Sequence, residues 1–180
     1  MNRYLLGIGV ASCVAVTALA DVESGPKAGE KVAALKVFGV VGPVEGKEVD
    51  FAAEKKGDPT VYLFVKPDSW SRPMARFAKV LDGKVGDVHE KASVVAVWVG
   101  GDADKSKEYL PKAQESLKFG RTALTVFADK AGPEGWAINP DADLTVVVAH
   151  GGKVHTTFAF GSVNDTDVKA VEEALKKAVK

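Results

Sequence analysis

The sequence predicts an α/β fold, a mixed central sheet with helices on both faces and a small β-hairpin at its N-terminal end. Three observations carry this. Val61-Tyr-Leu-Phe-Val65 is an unbroken apolar run, the pattern of a strand covered on both sides. From that run onward, strand-like and helix-like segments alternate, as crossover connections between parallel strands require. Beyond residue 143, two β-branched stretches flank Gly151-Gly152 and lead into an amphipathic segment, a hairpin closed by a helix.

Taken in order, residues 1–20 read as a secretory leader. Met1 to Arg3 supply a positive start, Tyr4 to Val16 an apolar stretch, and Thr17-Ala-Leu-Ala20 a small-residue cleavage site. A rival reading takes Val10-Ala-Ser-Cys13 as a lipobox that would acylate Cys13, but the apolar run continues through Val14, Ala15 and Val16. As an uncleaved anchor the stretch is marginal in length for a spanning helix. The expectation is export to a periplasmic or extracellular location, without stable membrane insertion unless Cys13 is lipidated. Residues 21–31, polar and containing Gly and Pro, suit a flexible lead-in. Residues 32–180 are enough for one domain with a full core. Arg3 is the only charged side chain of the leader, so the remainder holds 23 basic and 24 acidic residues. That balance gives no reason to expect a nucleic-acid partner. Cys13 is the only cysteine, so the exported chain would hold no disulfide.

Leu35 to Val41 has the β-branched content of a strand, Gly42 to Lys47 supplies turn residues, and Glu48 to Phe51 returns the chain. The glycines of that turn lack both a Gly-Lys-Ser/Thr ending and the G-x-G-x-x-G spacing of a phosphate loop. After Val61–Val65, Met74, Phe77, Ala78 and Leu81 recur at helical spacing, with Ser71 placed to cap that helix and Pro73 suited to its first turn. Ser93 to Val99 is the next strand and Gly100-Gly-Asp102 ends it. Asp104 to Phe119 reads as a helix burying Tyr109, Leu110, Ala113 and Leu117, kinked by Pro111 or beginning near it. Leu124 to Phe127 is strand-like, and Ala131 to Asp141 is a Gly/Pro-rich connection containing Trp136. Leu144–Ala149 and Val154–Phe160 form the hairpin, and Asn164 caps a helix with Val168, Val171, Leu175 and Ala178 on one face.

The junction at residues 61–81 resembles the redox centre of the thioredoxin and redoxin superfamily. There a strand runs through a loop into Trp-Cys-x-Pro-Cys, and the dipole of the helix that follows lowers the pKa of the first thiol. Aligned on Trp70 and Pro73, the nucleophilic cysteine becomes Ser71 and the resolving cysteine becomes Met74. Disulfide exchange needs a thiolate and a partner sulfur, which this pair cannot supply. The element order matches the redoxin arrangement over essentially the whole mature chain. The resemblance therefore implies a thioredoxin-like three-layer sandwich. It also implies a proline facing the cysteine pair, in a Val-Pro-Thr-Thr run before an Asp-x-x-Gly-Lys-Val hairpin. With Gly152-Lys-Val154 setting the register, Thr145 matches the second threonine and the proline position falls on Asp143, while Pro140 lies three residues too early. Phe64-Val-Lys-Pro67-Asp68 is similar to the approach to a peroxidatic cysteine, whose position would fall near Pro73 or Met74; peroxide reduction needs the same missing thiolate.

What the resemblance leaves is a surface. In such proteins the rim around the Trp and the proline holds extended segments of client proteins. Here it would be built from Trp70, Ser71, Arg72, Pro73, Met74 and Arg76, with Asp143, Leu144 and Thr145 opposite. Trp and Arg are common binding anchors, and Arg72 with Arg76 beside a helix N-terminus favours an anionic group. Met74 also lies on the apolar stripe and reads foremost as a core-facing residue. The leading expectation is an exported, redox-inactive module without a cofactor that binds a protein or peptide in the cell envelope. Thiol oxidoreductase activity rests on resemblance alone.

Other chemistry is thin. Ser71 as a nucleophile needs a neighbouring base, and His89, His150 and His155 are distant in sequence. His150 and His155 flank the Gly151-Gly152 turn and could approach across a hairpin to bind a metal with a nearby carboxylate. A metal carrier or an enzyme sited there is the competing reading; two solvated histidines is the plain one. The acidic pairs Asp102/Asp104, Asp141/Asp143 and Asp165/Asp167 lack the twelve-residue calcium-loop pattern.

Overall fold

In the computed structural model, which describes residues 22–180, the chain forms one seven-stranded mixed sheet in the order β2-β1-β5-β4-β3-β6-β7. The strands are β1 (Lys36–Val41), β2 (Glu48–Asp50), β3 (Thr60–Val65), β4 (Ser93–Val99), β5 (Thr122–Phe127), β6 (Leu144–His150) and β7 (Lys153–Phe160). β3, β4 and β5 are parallel neighbours, while β1, β2, β6 and β7 pair antiparallel. All six residues of β3 are buried, which is why its sequence is a continuous apolar run rather than an alternating one. The helices are α1 (Phe51–Glu54), α2 (Arg72–Val88), α3 (Ala103–Leu117) and α4 (Val168–Ala178).

The two faces are covered unequally. Val61, Leu63 and Val65 of β3 and Val94, Ala96 and Trp98 of β4 pack with Met74, Phe77 and Leu81 of α2, Leu110 of α3, and Val171 and Leu175 of α4. Topology explains why three long helices share this face. The crossovers β3-α2-β4 and β4-α3-β5 step the same way along the sheet, and right-handed crossovers stepping the same way lie on the same side. The other face is covered by α1 and by the connection after β5, where Trp136 is fully buried. Its ring lies 4.8 Å from both Tyr62 and Phe64, and its Nε1 donates to the Ala34 carbonyl at 3.0 Å. One indole thus fills space that a helix would otherwise occupy. Asp82 of α2 is buried but satisfied: it accepts from the backbone N–H of Gly120 and Arg121 and from the Thr122 hydroxyl, tying α2 to the start of β5.

Several local expectations are corrected. Phe51 opens α1 instead of extending β2, because Asp50 accepts from the N–H groups of Ala52 and Ala53 and caps a turn there. α3 runs through Pro111 from Ala103 without starting late. Tyr109, expected inside, is 43% exposed, because Ser106, Leu110 and Ala113 take the buried stripe. Ser71 occupies the N-cap of α2, but its side chain makes no capping bond; the backbone carbonyl alone accepts, from Ala75. Asn164 does cap, in a reciprocal box with Asp167 at the turn before α4.

Where composition suggested a flexible lead-in, the described residues run along the β6–β7 hairpin. Gly25 N–H donates to Ala137, Gly29 N–H to Val154, and Val154 N–H to Glu30, while the Ser24 and Thr145 hydroxyls lie 2.6 Å apart. Gly25 has φ +91° and sits so close to Thr157 that a Cβ would collide with it and crowd Thr145. The leader and Cys13 lie outside the described residues. No helix among the described residues is long and apolar enough to cross a membrane.

Candidate functional site

The loop from β3 to α2 rises over the C-terminal ends of the parallel strands, where open α/β sheets place their ligands. Val65 ends β3 beside Trp98 on β4. The chain then makes a single turn of 3-10 helix, Pro67–Ser69, before Trp70 and α2. Gly101, at φ +72°, lets the loop after β4 lie against Pro67, where a Cβ would come within 3.3 Å of the ring.

Three aromatic side chains meet at this point. Trp98 is almost wholly buried at 4% exposed; Trp70 lies 5.4 Å from it on one side and Tyr109 stacks on it at 5.5 Å from the other. The outer pair is joined, Trp70 Nε1 donating to the Tyr109 hydroxyl at 3.2 Å. The result is a braced, half-exposed aromatic platform at the floor of an open groove of about 450 Å³, with Asp68, Asp102 and Lys105 on its walls. The Asp102 carboxyl is held below its usual range, chiefly because it accepts the backbone N–H of Lys105 and is bonded by that lysine's side chain. On the far side of the 66–70 loop lies a separate cleft of about 140 Å³, floored by Phe64 and Val99 and edged by Lys66 and Lys130.

The structure brings some of the expected rim together and withdraws the rest. Trp70, Ser71, Arg72 and Pro73 are at least partly exposed around the start of α2. Asp143 joins them: its carboxylate accepts from the Ser69 hydroxyl and its carbonyl from Lys66 N–H at 3.1 Å. Met74, Leu144 and Thr145 are buried and offer nothing to a ligand, because Met74 faces the core and β6 is covered on both sides. Arg76 is engaged with Asp165 at 2.9 Å, so the chain itself supplies an anionic partner. No peptide bond among the described residues is cis, and the residue at the proline position, Asp143, sits beside the loop by side-chain bonding instead. Trp98 and Tyr109 were missed as site residues. Trp98 was legible only as a strand residue, and Tyr109 sits one position from the buried stripe, so helical spacing assigned it to the core.

His150 and His155 are close, their ring centres 6.4 Å apart. The carboxylate expected beside them is not there: among the described residues no group of three or more histidine, cysteine or acidic side chains is placed to hold a metal. His89 accepts the Lys91 N–H and takes part in neither site.

No family model and no curated protein matches the sequence. Solved structures do match. One is a Chlorobium tepidum protein described as the thiol:disulfide interchange protein DsbE, at 18% identity and a TM-score of 0.59, covering 86% of this chain and 99% of that one. Another is the peroxidoxin BcpB of Mycobacterium tuberculosis, at 16% and 0.58, covering 84% and 97%. A third is the exposed lipoprotein thioredoxin of Streptococcus pneumoniae, at 16% and 0.55, covering 81% and 99%. The chain has the thioredoxin-like fold, with a mixed sheet and helices on both faces.

Proposed function

We propose that this chain is an exported, redox-inactive thioredoxin-like module that binds an extended protein or peptide segment on the surface where such folds carry their redox centre. The observation that carries the reading is the platform of Trp70 and Tyr109, braced on Trp98 and exposed beside the N-terminus of α2. Large aromatics held rigid before binding lose little entropy on contact, which suits them as anchors. At the aligned cysteine positions stand an exposed serine and a buried methionine, so the chemistry of the fold has no thiol to run on. Export is supported by the leader-like first 20 residues and by extracytoplasmic neighbours such as the exposed lipoprotein thioredoxin.

A calorimetric titration against an array of extended peptides tests the binding, because its signal does not depend on the indole that is substituted. Wild type is expected to select a subset of peptides, and Trp70→Ala or Tyr109→Ala to lose them by tenfold or more. Selection that both variants retain would move the site elsewhere. An insulin-reduction assay on the same protein is expected to stay at background; turnover there would sink the redox-inactive part of the reading.

A further inference from the structure

We propose that His150 and His155 form a site for one divalent transition-metal ion of the copper(II) class, held by two imidazoles and completed by solvent. It is independent of the aromatic platform. His150 ends β6 opposite Lys153, and the closeness of the two rings places the His155 side chain beside it from the neighbouring strand. Val148 pairs with Thr156 and Ala149 with Val154, which makes His155 the extra residue of a bulge.

His150 is already set as a ligand. Its Nδ1 lies 2.8 Å from the carbonyl oxygen of Ala178. A carbonyl only accepts, so Nδ1 donates here, and in the neutral imidazole Nε2 is then the nitrogen with the lone pair. A backbone carbonyl on the remote nitrogen is how ligating histidines are oriented and made more basic. Ala178 is the last residue of α4, and the carbonyl end of a helix favours a nearby cation.

The second ligand needs a small movement. Two imidazoles bound side by side to one metal at about 2.0–2.1 Å have ring centres roughly 4.5–5.5 Å apart. The observed 6.4 Å, with the rings inclined at 30°, closes to this by a rotation of His155, which is exposed and has no hydrogen bond from its ring among the described residues. Lys153, exposed and cross-strand, is the charge that must turn towards solvent. With two nitrogen ligands and no carboxylate cluster, the site falls short of the three or four protein ligands that zinc commonly takes. Copper(II), at the head of the divalent affinity series, is the ion that two imidazoles can retain.

The test is a copper(II) titration of the full chain carrying Cys13→Ser, which removes the one thiol, read by calorimetry and electron paramagnetic resonance in glycine-containing buffer. One ion per chain is expected, with a spectrum showing nitrogen coupling from two imidazoles. His150→Ala and His155→Ala should each weaken binding at least tenfold, and His89→Ala should leave it unchanged. Circular dichroism melting of each variant separates loss of ligand from loss of fold. No binding by the parent chain, or binding that survives the double His150/His155 substitution, overturns the site; either result leaves the aromatic platform untouched.

Discussion

Tyr62 lies in the centre of the sheet, edge-on to Trp136, and burial raises its phenol above the ordinary value. The consequence for stability has a definite sign. The unfolded chain loses this proton near pH 10, while the folded chain keeps it, so stability contributed below that pH is lost as pH rises further. Denaturant unfolding of wild type is therefore expected to weaken between pH 9 and 11 more steeply than that of Tyr62→Phe. Equal slopes for the two would mean the phenol is not the group at work. Tyr109 shows the opposite situation within the same residue type: its hydroxyl accepts from Trp70 at the surface, and its role is to hold the indole in place. The two tyrosines differ in sequence only by their place in a periodic pattern, and Tyr109 misleads because its position borders the buried stripe.

At the level of elements, capping separates two helices that read alike. Both α2 and the turn before α4 begin with a favoured N-cap residue, Ser71 and Asn164. Asn164 accepts from Thr166 N–H and closes a reciprocal pair with Asp167, whereas Ser71 makes no side-chain bond to its helix. Asn164→Ala is accordingly expected to cost about 0.5–2 kcal/mol in a denaturant titration, and Ser71→Ala to fall within about 0.5 kcal/mol of wild type. A cost at Ser71 equal to that at Asn164 would show a capping bond that forms in solution. The Ser71 side chain, which makes no capping bond, is exposed beside Trp70.

The whole molecule depends on its N-terminal segment more than composition indicates. Residues 23–32 bond to the Trp136 connection and to the β6–β7 hairpin, engaging the Ala137 carbonyl and both the backbone and side-chain N–H of Asn139. Removing residues 22–30 is expected to lower the free energy of unfolding by about 2–5 kcal/mol, from several hydrogen bonds at roughly 0.5–1.5 kcal/mol each. A melting temperature unchanged by that truncation would restore the flexible lead-in. The same segment explains why one face of the sheet can do without a long helix. Trp136 fills the space, and the N-terminal strip closes over the connection that carries it.

Taken alone, the sequence determined the order of the strands and the three long helices, the buried faces of α2 and α4, the hairpin, and the lack of a cysteine at the α2 junction. These are local or periodic properties: Met74, Phe77 and Leu81 fall on one helical stripe whatever surrounds them, and a serine is not a thiol in any fold. Tertiary structure alone decided that Trp98 and Tyr109 complete the platform with Trp70, that Arg76 is engaged by Asp165, and that His150 is oriented by Ala178. These contacts join residues 11 to 89 positions apart on different elements, whose approach is set by strand order and crossover handedness. No spacing within a single element records that information.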